Sequence, residues 1–177
     1  MADELAVSYG RAIVAIARAE GVADRVADEL FQFAQAVDGN PALRDKLTDP
    51  SVALEARSGA VTDLLQRAHP ATGAAVQMLL AADRIRHLGD IAAAAVRESA
   101  EARGASVAQV RSAKPLAQAQ RDALGRALAD RAGRPVELKV VVDPDLLGGL
   151  VVQLGDTVID GSSARRLTEI KAALASA

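Results

Sequence analysis

Four aspartates, Asp143, Asp145, Asp156 and Asp160, crowd into one stretch near the end of the chain, and grouped carboxylates are the material of a metal cage or of acid–base catalysis. A calcium loop opening at Asp143 would need an oxygen donor where Leu147 stands and a glutamate where Leu154 stands, so that reading fails. The aspartates flank Pro144, Gly155 and Gly161, where Asp is favoured because its side chain hydrogen-bonds the local backbone. His69 and His87 are the only histidines and no cysteine can join them, so a histidine-based metal set is not expected. Gly148-Gly149 could cradle a phosphate, but the GxGxxG order, the lysine and serine of a P-loop and an immediately following helix are all missing. The pair reads instead as a bend that is closely approached, by its own domain or by a partner. Ser162 and Ser163 lack a GxSxG elbow and read as helix caps. Tyr9, the only tyrosine, reads as a core-edge residue, and Arg165-Arg166 as a solvated helix face. No active site emerges, no cofactor is expected, and an adaptor is the default. The alternative is a small-molecule-binding regulatory or transferase protein using the Gly148-Gly149 turn.

The bulk properties fit that default. The chain has 177 residues, 50% of them apolar, which suffices for one ordinary domain or two small ones. A net charge of −2, with both signs interspersed, gives no reason to expect nucleic acid or an anionic lipid surface as partner. Aromatic residues make up 2%, too few for base-stacking platforms. The opening Met1-Ala2-Asp3-Glu4 lacks a basic n-region, and no apolar run approaches the roughly 20 residues that span a bilayer. A soluble, intracellular protein without membrane insertion is expected.

The elements that must position these residues fall into two groups. Val136, Leu138, Val140 and Val142 lie on one face of a strand, and Leu150, Val152 and Leu154 on one face of the next, with Asp143-Pro144-Asp145 turning between them. Gly155-Asp156 signals a hairpin into a short strand at Thr157–Ile159. After the turn at Asp160-Gly161, Leu167, Ile170 and Leu174 mark a terminal helix. Apart from one strand at Ser106 to Arg111, everything earlier reads as helix. Leu5, Tyr9, Ile13 and Ile16 form the stripe of a first helix, and Val26, Leu30, Phe33 and Val37 that of a second, which stops at Gly39. Asn40-Pro41 and Asp49-Pro50 are cap-and-proline starts, the first for a short helix with Leu43 and Leu47, the second for one with Leu54, Val61, Leu64 and Leu65 inward. His69-Pro70 ends that helix. Ala74 to Ala82, apolar almost all round, is expected to be the most buried helix. A sixth helix runs from about Asp90 to Arg103, with Gly104 as the boundary. Ser106 to Arg111 reads as a strand entering the second part, with Val107 and Val110 out of strict alternation, and Pro115 starts a helix ended by Gly133. The fold class expected is mainly α: a six-helix bundle over 1–104 and a small α/β domain over 105–177, a sheet with flanking helices.

The run from Asp143 to Leu167, VDP-x-L-x-GG-x-x-V-x-x-GD-x-x-I-DGS followed by a leucine, resembles the C-terminal signature of the delta subunit of F-type ATP synthases, the OSCP family. Ser112-Ala113, Pro115-Leu116 and Gln120 resemble that family's SA-x-PL-x-x-x-Q helix, and Tyr9, Arg11 and Ala12 stand as in its first helix. The resemblance implies a non-catalytic stator subunit, one copy per complex, peripheral on the cytoplasmic face of a bacterial cell membrane. By the same resemblance the N-terminal bundle holds N-terminal segments of alpha subunits, in a groove between the first and fifth helices that Tyr9, Ala12, Met78 and Leu79 would line. The C-terminal domain would meet the b-type stalk subunits, with Gly148, Gly149, Asp160 and Gly161 as partner-facing or structural turn residues. Gly10 departs from the alanine common in the family, at a cost of about 1 kcal/mol in helix propensity.

Overall fold

Apolar residues recurring at helical spacing produce α1 (Ala2–Ala19), α2 (Ala23–Asp38), α3 (Pro41–Thr48), α4 (Leu54–Leu64), α5 (Pro70–Ala81) and α6 (Leu88–Glu101), with a 3₁₀ turn at Ile85–His87 leading into α6. They are followed by β1 (Ser106–Ser112), α7 (Gln118–Ala132), β2 (Val136–Val142), β3 (Leu150–Leu154) and β4 (Thr157–Asp160). This computed structural model describes residues 2–146, 148–155 and 157–161. The expected terminal helix, with Ser162, Ser163, Arg165 and Arg166, and also Asp156, lie outside the described residues. Among the described residues the chain is mainly helical, with seven α-helices and one four-stranded mixed sheet. It divides into two compact units, Met1–Ser99 and Ala100–Ala177.

In the first unit α2 is the organising element: α1, α3 and α5 all pack on it, and Val26, Leu30, Phe33 and Val37 are buried as their spacing predicts. Of the two expected cap-and-proline starts, Asn40-Pro41 works as one, and His69-Pro70, expected only to end a helix, also starts one. The Asn40 carboxamide oxygen accepts the Leu43 N–H at 3.1 Å, and the His69 Nδ1 accepts the Ala71 N–H at 3.2 Å, each with proline at the first helical position. Asp49-Pro50 does not. The Asp49 carboxylate accepts the Ser51 N–H at 2.8 Å, closing a local turn instead of capping a helix, and α4 begins only at Leu54. In α4 Val61 is buried while Leu54 and Leu64, expected inward, are 44% and 52% exposed.

Two further expectations are corrected. Ile16 is 60% exposed, because α1 buries the small-residue side carrying Ala6, Gly10, Val14 and Ala17. A Cβ on Gly10 would lie 2.8 Å from both the Ala94 Cβ and the Ala95 nitrogen, so α1 and α6 approach through a missing side chain. The most buried helix is accordingly α6, where Ile91, Ala92 and Ala95 are fully enclosed, and not α5, whose Ala74 and Met78 remain exposed.

In the second unit the strand order is β2-β1-β3-β4, with β1 parallel to β2 and antiparallel to β3. β1 is thus a central strand. Val107 and Val110 do not alternate cleanly because both faces are buried at the start of the strand, while farther along only the Val110 face stays covered and Arg111 is exposed. Ala108, Val110, Leu128 and Val152 form the core, and Leu124 of α7 and Leu138 of β2 pack against it. Because β1 separates them, β2 and β3 are not hairpin partners. The Asp143 N–H donates to the Ser112 carbonyl at 2.8 Å and the Ala113 N–H to the Gly149 carbonyl at 3.5 Å, so the connection crosses the end of β1. α7 begins at Gln118 and not at Pro115. Its start is set by the Gln120 side chain, which accepts the Ala117 N–H at 2.9 Å, while Leu116 packs on the core. Val142, expected on the inner face, is 47% exposed.

Candidate functional site

Between α1 and α5 runs a groove of about 180 Å³, floored by the fully buried Val26 of α2. One wall is Ile13, Ile16, Ala17 and Glu20; the other is Ala71, Ala74, Ala75 and Met78. Each set follows i, i+3, i+4, i+7; the second is one continuous stripe of α5, and the first is a stripe of α1 continued by Glu20 in the turn just past the helix end. Ile16 and the 39%-exposed Met78 present apolar surface, while the three alanines of the α5 wall let an occupant's backbone come close. An apolar trough between two helices is the shape that receives an amphipathic helix.

The α5 wall is held at its start. The Glu29 carboxylate of α2 accepts the His69 N–H at 2.8 Å and the buried Thr72 hydroxyl at 2.6 Å, and the Arg25 Nε donates to its other oxygen at 2.8 Å. Burial pushes the Glu29 carboxyl upward, but the hydrogen bonds from Thr72, Arg25 and His69 together outweigh it and leave the group below the usual glutamate range. Sequence reasoning did not single out Glu29.

Of the residues expected in the groove, Met78 lines it and Leu79 is fully buried in the core. Tyr9 is half-buried and Ala12 exposed; neither lines the groove itself, though with Ile16 they share one face of α1 at i, i+3, i+7, Tyr9 standing about one turn before Ile13. Sequence reasoning missed Ile16 as a groove residue, along with Ala71 and Ala74. The available signal was the apolarity of α5 on every side, which a helix with one open face shares with a helix at the centre of a bundle.

In the second unit Gly148, Gly149, Asp160 and Gly161 meet at the start of β3. Gly148 and Gly149 have φ of 149° and 81°, a region closed to most side chains. Asp160 pairs with Val151 across the ladder, and the Gly161 N–H donates to the Leu150 carbonyl at 2.9 Å. Asp143 accepts the Arg111 Nε at 2.9 Å and the Asp145 N–H at 3.0 Å, and these bonds, Arg111 foremost, hold its carboxyl below the ordinary range. It is a turn aspartate. Among the described residues no group of three histidine, cysteine, aspartate or glutamate side chains could hold a metal ion, and no helix is long and apolar enough to cross a membrane. A larger cleft of about 360 Å³ mixes Val37, Ile85 and Leu88 with Asp38, Arg44 and Arg86 and shows no repeating stripe.

The family described as ATP synthase delta (OSCP) subunit matches residues 5–174. The chain is 41% identical over 169 residues to the ATP synthase subunit delta of Frankia alni, covering 92% of this chain and 59% of that protein. It is 44% identical over 161 residues to the subunit of the same name from Streptomyces avermitilis, covering 90% and 59%. The chain thus spans about three fifths of the length of these relatives. A chain in the Toxoplasma gondii mitochondrial ATP synthase hexamer shares its fold, with a TM-score of 0.63 at 23% identity over 96% of this chain and 97% of that one.

Proposed function

Because the chain belongs to the ATP synthase delta (OSCP) subunit family, we propose that it is a non-catalytic stator component of an F-type ATP synthase, joining the catalytic head to the peripheral stalk. Rotation driven through the membrane sector yields ATP only if the head is kept from turning with the shaft. In this reading the six helices of the first unit act as one bundle that holds N-terminal helical segments of alpha subunits. The second unit engages the b-type stalk subunits, and one copy sits on each complex at the cytoplasmic face of the membrane. A tether held at both ends gains effective concentration that neither contact has alone.

The observation that carries this reading is the α1–α5 groove, two mainly apolar stripes facing each other across Val26 with Ile16 and Met78 left in solvent. A small-molecule or transferase reading at Gly148-Gly149 is not favoured, since the pair serves the crossing of the chain over the end of β1.

Titration of the chain with a synthetic alpha-subunit N-terminal peptide tests the head contact. Ala12 is exposed, so Ala12→Asp should fold normally, as judged by circular dichroism and calorimetry. Burying its carboxylate against an apolar helix costs several kcal/mol, about two decades or more of affinity. A folded variant binding as tightly as wild type removes Ala12 from the contact, and no saturable binding by the wild-type chain removes the groove.

A further inference from the structure

Apolar burial has no direction, so a groove walled by two stripes at i, i+3, i+4, i+7 accepts an amphipathic helix in either orientation with similar gain. One lining residue breaks that symmetry. Glu20 ends the α1 stripe Ile13, Ile16, Ala17, Glu20 and is the only charged side chain among the groove's lining residues. It stands exposed where α1 has ended at Ala19 and the chain turns into α2. The cations nearest to it in sequence leave it available: Arg25 is engaged with Glu29, and Arg18 is exposed on the last turn of α1 and forms no ion pair with Glu20.

Resting on the groove as the docking site, we propose that Glu20 sets the direction in which a partner helix lies there, by pairing with a basic side chain at one end of that helix. The occupant is an amphipathic helix whose apolar stripe fills the space between Ile16 and Met78 and whose lysine or arginine follows that stripe at the Glu20 end. The reverse orientation brings the cation to the Tyr9 end of the α1 wall and leaves the Glu20 carboxylate opposite apolar surface. Charge at the rim of an interface acts in this way, fixing register and orientation more than total affinity.

Two synthetic amphipathic helices with the same apolar stripe test this, one carrying its single lysine at the N-terminal end and the other at the C-terminal end, each with a nitroxide beside the lysine. With the full chain, both should broaden the Gly21 amide resonance more than that of Tyr9, so the two peptides lie in opposite directions. Glu20→Gln should weaken each by about two- to fivefold at low salt, a difference that vanishes near 1 M salt. Glu20→Lys should instead favour peptides with glutamate in place of the lysine. Peptides that shift Ile13, Ala74 and Met78 yet keep one direction whatever the lysine position overturn the role of Glu20 and leave the groove standing. Peptides that shift none of those three overturn both.

Discussion

Gly10 reads from sequence as a weak point in α1 and proves to be the contact that lets α1 meet α6. Replacing it with alanine recovers about 1 kcal/mol of helix propensity, but the new Cβ would stand 2.8 Å from the Ala95 backbone, and overpacking of that kind costs about 1–3 kcal/mol. Gly10→Ala should therefore lower the melting temperature; a rise would show that α1 and α6 can separate without loss. Glu29 joins α2 to the start of α5. Glu29→Ala strands the buried Thr72 hydroxyl and the His69 N–H, at about 1–3 kcal/mol. The pH dependence has a definite sign, because the folded carboxyl lies below its ordinary value of 4.5. Its contribution is fully present above that value and is lost as pH falls through the lower, folded one. Denaturant titrations should show the gap between wild type and Glu29→Gln closing as pH drops from neutrality into that acid range. A gap that stays constant across the range would mean that the charge on Glu29 contributes nothing.

At the level of elements, the connection between β2 and β3 is where chain geometry is most demanding. It must pass the end of β1, and it does so through Gly148 and Gly149 at positive φ, with the Gly149 carbonyl receiving the Ala113 amide. A side chain at position 149 costs about 1–3 kcal/mol in backbone strain alone. Gly149→Asp should lower the stability of the second unit and weaken assembly into the synthase, read as reduced proton-driven ATP synthesis by membranes carrying the variant. Unchanged assembly and unchanged coupling would make the glycine dispensable. The first unit shows the same economy of means: α1 turns its small residues to α6, which leaves Ile16 on the open side to form half of the groove. The buried side and the groove wall thus adjoin on one helix, with Ala17 belonging to both.

Across the whole molecule, the two units imply separate folding. A fragment ending at Gly104 retains the whole of α6 and the turn in which the Gly104 N–H donates to the Glu101 carbonyl, so it should be a folded, cooperatively melting monomer. Dye binding together with loss of the near-ultraviolet signal would contradict this. The sequence by itself determined the number and order of the described helices, the strand faces built on Leu138, Val140 and Val152, and the turn role of Asp143, because these follow from periodicity and from hydrogen bonds between residues close along the chain. The family, too, was legible, in residues concentrated between Asp143 and Leu167. Only the tertiary structure decided which apolar side of α5 stays open, that β1 comes between β2 and β3, and that Ile16 faces a groove while Leu79 faces the core. Each of these depends on what stands opposite a side chain. A helical stripe records that a face is apolar, and the same pattern serves a face covered by α6 and a face left for another molecule.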